Sequence, residues 1–488
     1  MTPNIYIPID RRHAMARGGT LPERTTGAAL FADISGFTPL TTALLKELGL
    51  KRGPEELTHQ LNIIYDALID EVHRYGGTVI GFAGDAITCW FDKDDGRRSI
   101  SCGLALQQAM EQFKSVKTAG GSIISLAIKV AVSIGAVRRF LVGIPDVSYK
   151  DVLAGSTIDR MAAGEGYAEK GDVIAAPEVV AQIGDMLEIA EFRMNEQGEK
   201  FAVVTGMTET ASAMPWGDEP TLSEEQLTPW VLRPIYERMT HGQEQFVAEI
   251  RPATALFMKF SGIDYDNDAK AREKLDTYIQ WVQSLVHRYE GTLIQLTLGD
   301  KGSFIYTAFG APIAHEDDSI RALSMALDLL SPPAEIDFID PVQIGISQGR
   351  MRAGPYGGSA RVTYGVLGDE VNMSARLMGK AKPGQVLVSE FSHQSSRHVF
   401  DWDVPVSMLV KGKVEPITVY RLLGKVEQSQ YQLQGMQYTM PMVGRQAELT
   451  LIEEKIEHRL WRSMSVLRHT NELFDVGVCM ASVFQYCP

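Results

Sequence analysis

Two acids in turns and an asparagine–arginine pair on one helix are where this chain could do chemistry. Leu30 to Thr38 reads Leu-Phe-Ala-Asp-Ile-Ser-Gly-Phe-Thr, an apolar strand that delivers one carboxylate, Asp33, into a Ser-Gly turn before a helix-prone run. A carboxylate in that place sits beside a row of free backbone N–H groups. The arrangement suits a metal-bound polyphosphate, because the acid holds the cation and the helix N-terminus takes the anion. The same acid could simply cap the helix. A second carboxylate, Asp85, lies in the tight turn Ala83-Gly84-Asp85-Ala86. Far along the chain Asn372 and Arg376 stand four residues apart, so on a helix both project from one face.

The elements that must position these residues follow from periodicity. Gly27 to about Gly206 alternates strands and helices. A helix is expected from Thr38 to Leu48 and another over Pro54–Tyr75, where Leu57, Leu61, Ile64, Leu68 and Val72 form one apolar stripe. Gly76-Gly77 ends it. Thr78–Phe91 reads as a hairpin, followed by a helix near Ser99–Phe113, strands near Ile124–Gly135 and Asp151–Gly155, and a helix starting near Thr157. Residues 1–26 are expected to be an N-terminal extension and 27–206 a first domain. The stretch 207–251, with Pro215, Trp216, Pro220, Pro229, Trp230 and Pro234 among acids, reads as a linker packed on the surface.

The pattern then returns. Val72-His73-Arg74-Tyr75-Gly76-Gly77-Thr78 reappears as Val286-His287-Arg288-Tyr289-Glu290-Gly291-Thr292, Gly84-Asp85 as Gly299-Asp300, and Gly155 as Gly368. The chain therefore holds two diverged copies of one unit, the second spanning 252–424. Their polar equipment is split. Asp33 aligns with Lys259, which cannot ligate a cation while protonated; Asp300 is followed by Lys301 where the first copy has Ala86; Asn372 aligns with Asp159 and Arg376 with Ala163. Carboxylates lie on one copy, and Lys, Asn and Arg on the other. Complementary losses of this kind make sense if one site forms between the copies and its pseudo-twofold mate has little left to catalyse with.

Composition fits two or three domains in 488 residues with 45% hydrophobic residues. No apolar run approaches the ~18–20 residues that span a bilayer, so no transmembrane segment is expected. The N-terminus lacks the apolar stretch of a secretory signal. Four cysteines without a CxxC pair indicate neither a disulfide framework nor zinc, and a cytoplasmic protein is the simplest fit. A net charge of −14 argues against nucleic-acid binding while leaving room for one small anionic substrate.

Phe31–Phe37 with Asp33, Phe82-Ala83-Gly84-Asp85-Ala86, and Thr363-Tyr364-Gly365-Val366-Leu367-Gly368-Asp369-Glu370-Val371-Asn372-Met373-Ser374-Ala375-Arg376 resemble the signatures of class III nucleotidyl cyclases. The tandem arrangement is most similar to the soluble, bicarbonate-responsive adenylyl cyclases. The resemblance covers about 27–424. It implies an α+β fold of two ferredoxin-like βαββαβ domains paired as a pseudo-twofold dimer within one chain, hence a monomer. It implies conversion of ATP to 3′,5′-cyclic AMP and pyrophosphate at one composite site. Asp33 and Asp85, with the backbone carbonyl of Ile34, would carry two divalent ions, Mg²⁺ or Mn²⁺. Backbone N–H groups near Ser35, Gly36, Phe37 and Thr38 would hold the phosphates, Lys301 and the position of Gly365 would read the base, Asn372 would orient the ribose, and Arg376 would stabilise the α-phosphate. Lys411 matches a triphosphate-binding lysine of membrane-bound relatives.

Departures accompany these matches. Gly365 stands where many relatives carry an Asp or Thr, so it offers only backbone groups to a base. Gly81 and Ala162 stand where the bicarbonate-binding cations of the mammalian relative fall, with Arg160 two residues away. A guanylyl or mixed-specificity cyclase and a catalytically silent nucleotide-binding regulator are the alternatives. Residues 425–488 form a tail in which Met442-Val443-Gly444-Arg445-Gln446-Ala447-Glu448-Leu449 resembles the entry of a fused ATPase module, without a GxxxxGK[ST] loop after it. A helix is expected over Thr450–Arg462.

Overall fold

The strand that carries Asp33 lies inside a sheet of antiparallel neighbours. The computed structural model describes residues 2–241, 249–299, 302–410 and 415–426, with the backbone alone at 50, 51 and 54. Helix α1 (Ile9–Ala16) precedes this strand, β1 (Arg24–Ser35), which leads through Gly36 into α2 (Phe37–Arg74). The hairpin β2 (Thr78–Ala83) and β3 (Ala86–Asp92), then α3 (Arg97–Met110) and the long β4 (Ala127–Val142), complete a βαββαβ unit. Its strands lie in the order β2-β3-β1-β4, every neighbour antiparallel. This is the ferredoxin-like arrangement. After β4 come β5 (Lys150–Ala154) and α4 (Ser156–Gly166).

The second half repeats the plan. β6 (Glu249–Phe260), α5 (Ala271–Arg288), β7 (Thr292–Thr297), β8 (Ser303–Phe309), α6 (Asp318–Leu329) and β9 (Gln343–Gly357) give the order β7-β8-β6-β9. β10 (Val362–Leu367) and α7 (Asp369–Lys380) follow, as β5 and α4 follow β4. In each sheet the long strand also pairs in parallel with a strand beyond the unit, Val173–Ala175 in the first and Gln385–Ser389 in the second.

The expected apolar stripe is buried as predicted: Leu57, Leu61, Ile64, Leu68 and Val72 all lie in the first half's core. Each contributes roughly 1.5–3 kcal/mol by leaving water. The two helices expected on either side of 49–53 run as one element, broken at Gly49, whose φ of 73° only glycine adopts cheaply. At the far end the N–H groups of Gly76 and Gly77 close on the carbonyls of His73 (3.0 Å) and Val72 (2.9 Å). Cys89 and Cys102 are free thiols in the core. Among the described residues no helix is long and apolar enough to cross a membrane.

The two halves exchange arms. The outer end of β4 pairs with β5, and Phe140, Val142, Val152 and Ala154 are buried in the second half's core with Leu256, Leu275 and Ile279. The outer end of β9 pairs with β10 and sends Tyr356 into the first half's core. Polar bonds line the seams. Ile144 N–H donates to the Gln283 side-chain oxygen (2.7 Å), whose amide donates to the Ser148 carbonyl (2.7 Å). Arg352 Nε donates to Thr58 Oγ1 (3.0 Å), and Arg361 donates to the carbonyls of Tyr6 (2.8 Å), Val79 (3.2 Å) and Ile80 (3.2 Å).

The N-terminal residues and the 207–241 stretch are built into this assembly. Ile5 and Tyr6 pack with Val231, Ile235, Met239 and Val362. Trp216 Nε1 donates to the Gly77 carbonyl (2.7 Å). Residues 1–426 accordingly form one compact unit. From α1, Arg11 and Asp10 enter a buried ion network with Arg139 of β4 and Asp151 of β5, in which Arg11 Nε and Arg139 Nη2 approach Asp151 at 2.6 and 2.7 Å. Burial alone would raise the Asp151 carboxyl; the two guanidinium groups override it and hold the acid well below the usual carboxylate range. Asp151→Asn leaves two buried cations facing a neutral amide and should cost about 3–5 kcal/mol in urea unfolding at neutral pH. The wild type should lose this advantage as pH falls far enough to protonate Asp151.

Candidate active site

The strand register brings the two predicted acids together. Asp33 lies opposite Ala86 across β1 and β3, and the N–H of Ile34 donates to the Asp85 carbonyl at 3.2 Å. Only Gly84 and Asp85 separate β2 from β3, so Asp85 is held in the tight turn its sequence predicts. Asp33 is half-buried. Burial, and then the neighbouring Asp33, push the Asp85 carboxyl up to about 7. Two acids this close oppose each other's charge, and a cation between them would relieve both. Among the described residues no group of three or more His, Cys, Asp or Glu side chains forms a metal cluster. Two carboxylates and one backbone carbonyl nevertheless fit an ion that takes its remaining oxygens from water and phosphates, as Mg²⁺ does.

Ser35 to Thr38 lie where an anion could approach. Helix α2 starts at Phe37 on Gly36 (φ 99°), and no side chain caps it, so its first N–H groups remain for another acceptor. Thr38 is exposed. A Cβ on Gly36 would fall 2.5 Å from the Ser125 carbonyl oxygen, so glycine alone fits this turn. Lys129, which the sequence reading missed, pairs directly with Asp33 across β1 and β4. Directly paired residues share a face of the sheet, so Lys129 and Asp33 lie on the same face. Its partner is 96 residues away in sequence, and spacing within one segment cannot reveal that. A lone lysine between Ile128 and Val130 was the available signal.

On the second half Asn372 and Arg376 occupy consecutive turns of α7. Asn372 is exposed. Arg376 is half-buried, and its Nη1 is buried without a hydrogen-bond partner among the described residues. An unpaired buried guanidinium nitrogen is costly, and an anion is what relieves it. Leu367, the residue before the α7 N-cap, packs against the first half's core. Gly365 is buried, and a Cβ there would meet Tyr356 Cε1 at 2.4 Å. The ring of Tyr356 thus explains the missing side chain at this position. Lys301 and Lys411, together with Asp300, lie outside the described residues, as does the tail with its expected helix at 450–462.

The mate of this site is different in kind. The turn between β7 and β8 runs 298–302, three residues longer than its counterpart. Lys259 lies against Gly302: a Cβ there would fall 2.4 Å from Lys259 Cε and 3.3 Å from its Nζ. Beside it a cavity of about 290 Å³ opens between the halves, with walls from Phe31, Ile80, Met161, Leu296 and Phe304. Gly81 and Ala162 both line this cavity. Arg160, the nearby cation, is instead paired with Glu178 at 2.9 Å and does not line it.

Comparison with known proteins identifies one stretch of the chain. Residues 248–434 match the model of the adenylate and guanylate cyclase catalytic domain. This part of the chain is a class III cyclase domain. The chain is 25% identical to adenylate cyclase type 10 of Rattus norvegicus over 88% of its own length, and 23% identical to that of Homo sapiens over 87%. It spans less than a third of those relatives, 29% and 28%. Among solved structures, a class III adenylyl cyclase-like ATP-binding protein from Pseudomonas aeruginosa aligns over 76% of this chain and 85% of its own, with 12% identity and a TM-score of 0.51. That likeness concerns the fold. The cyclase domain matched here is the half with Asn372 and Arg376, while the acids lie in the half that repeats its strand order.

The raised Asp85 carboxyl gives a signed expectation for the metal-free protein. An acid titrating near 7 when folded and near ~4 when unfolded makes the folded state progressively less stable between those values. The stability of Asp85→Asn relative to wild type should therefore rise from about pH 4 to about pH 7 and stay level above it, as measured by thermal unfolding in chelator.

Proposed function

We propose that the protein is an adenylyl cyclase that converts ATP to 3′,5′-cyclic AMP and pyrophosphate at one site composed from both halves. The observation that carries this reading is the division of charge: a carboxylate pair at Asp33 and Asp85 on one half, and the unpartnered buried guanidinium nitrogen of Arg376 on the other. The names of the relatives favour ATP as substrate. A cytoplasmic, monomeric enzyme belongs to the same reading.

In this mechanism Asp33, Asp85 and the Ile34 carbonyl would hold two ions, Mg²⁺ or Mn²⁺. Such ions, when bound, lower the pKa of the ribose 3′-hydroxyl and neutralise the triphosphate. The N–H groups of Ser35 to Thr38 and the ammonium of Lys129 hold the phosphates. Asn372 orients the ribose. The 3′-oxygen forms a bond to the α-phosphorus, the bond to the leaving pyrophosphate breaks, and the hydroxyl proton passes to water. Arg376 faces the α-phosphate, where negative charge builds as the bond forms. Lys301 donates to a ring nitrogen of adenine and opposes the protonated N1 of guanine. With Gly365 excluding a second base-reading side chain, that lysine is left with most of the discrimination.

Purified protein given Mg²⁺ or Mn²⁺ with ATP or GTP should form cyclic AMP in preference to cyclic GMP. Absence of any cyclic product with either metal would overturn the reading, and cyclic GMP as the main product would reassign the substrate. Asp33→Ala and Arg376→Ala should each lower kcat by ~10²–10³ or more. Lys259→Ala, at the mate of the metal site, should leave it nearly intact. Equal losses in all three would mean that the site is not divided between the halves in this way.

A further inference from the structure

The turn that carries Asp85 is fastened from below by a residue outside the set already described. Tyr65 of α2 is fully buried, and its hydroxyl donates to the Gly84 carbonyl at 3.1 Å. That carbonyl belongs to the peptide plane leading into Asp85, so its direction sets where the Asp85 side chain emerges. The next carbonyl, of Asp85 itself, is held by the N–H of Ile34. Gly84 is in the left-handed region (φ 67°), so the turn depends on external bonds to stay in one of several conformations open to glycine.

Tyr65 is in turn held by rings. Phe82 meets it edge-on, with centroids 5.3 Å apart, and Tyr356 lies at 6.1 Å. Tyr356 also meets Phe82 at 5.6 Å, and it reaches this cluster on the arm of the second half, over the space that Gly365 leaves free. The repeat offers an internal comparison. Alignment of Val72 with Val286 places Ile279 opposite Tyr65, alignment of Thr78 with Thr292 places Leu296 opposite Phe82, and the matching arm pairs Arg138–Ala154 and Arg352–Leu367 place Val142 opposite Tyr356. All three positions are aromatic in the core of the half with Asp33 and Asp85 and aliphatic in the core of the half with Lys259. A requirement of the fold alone would act on both halves.

We propose that Tyr65 is a positioning residue that fixes the Gly84–Asp85 turn in its metal-binding geometry, and that the ring of Tyr356 from the other half keeps Tyr65 in place. The metal site is then complete only when the halves are paired. This rests on the cyclase reading for the purpose of the turn, and its test reads metal binding apart from turnover. Mn²⁺ is titrated into the full chain without nucleotide and followed by electron paramagnetic resonance, with Asp33→Asn marking background. Tyr65→Phe keeps the ring and removes one hydrogen bond, and should raise the Mn²⁺ dissociation constant ~3–10-fold, with the half-saturating metal concentration for cyclisation shifting by the same factor. Tyr356→Leu should reproduce the shift, and Tyr356→Phe, which restores the ring, should reverse it. Unchanged Mn²⁺ affinity in Tyr65→Phe overturns the proposal, as does lowered turnover without a change in metal dependence. Wild type binding Mn²⁺ no better than Asp33→Asn overturns both the proposal and the metal assignment. A weakened Mn²⁺ site in a protein that makes no cyclic nucleotide supports the proposal and sinks the cyclase reading alone.

Discussion

Everything in this molecule depends on two crossed arms. The end of β4 with β5 is core to the second half, and the end of β9 with β10 is core to the first. Neither half has a finished interior without the other, so the apolar burial that stabilises each one also fixes their mutual orientation. Arg361 shows how tightly polar bonding follows. Its guanidinium sits at the junction of the N-terminal segment, β2 and the second arm, spent on backbone carbonyls of all three. The ion network of Asp10, Arg11, Arg139 and Asp151 does the same at the opposite arm.

A shared interior of this kind explains how two copies of one unit could diverge so unevenly. The arm residues that enter the opposite core are apolar or aromatic, Phe140, Val142, Val152 and Ala154 on one arm and Tyr356 and Leu367 on the other. The polar positions at the mouths of the two clefts were under no such tie. One cleft has an acid pair, and the other has Lys259, a fixed cation beside Gly302 where its counterpart would bind an exchangeable one. The walls between the halves beside Lys259 are mostly apolar, and the two positions that would mark an anion site there are Gly81 and Ala162.

The sequence was informative where a local pattern had one physical solution. The stripe from Leu57 to Val72, the Gly76-Gly77 stop and the Gly84-Asp85 turn are each set by neighbours in the chain, and each was found where periodicity and turn chemistry put it. The repeat, and with it the asymmetry between Asp33 and Lys259, needed only the chain laid against itself. What stayed hidden depends on partners far apart in sequence. Lys129 becomes notable only once β4 is paired with β1, and Tyr65 only once its hydroxyl is seen under Gly84. Residues 1–26 read as an extension because no local pattern ties them to a domain; the partners that bury Arg11 and Arg12, Asp151 and Glu219, lie more than a hundred residues downstream.

The electrostatics of the ligand-free molecule point the same way as the fold. Asp85 is held near 7 because burial and Asp33 both oppose its charge, and Arg376 keeps a buried nitrogen without a partner among the described residues. Each is a cost, and costs of this size do not persist in a marginally stable protein unless the structure around them is over-determined. The arms provide that rigidity. On the cyclase reading the two costs have opposite sign and a common relief: cations answer the acids, and a polyphosphate answers both the cations and the arginine. Charges held apart and unsatisfied in advance need no rearrangement when the substrate arrives, and this is the condition under which fixed dipoles and charges stabilise a transition state most effectively. The aromatic cluster under Gly84 extends that logic to the backbone, because an acid pair of this kind is useful only while the turn that carries half of it cannot relax.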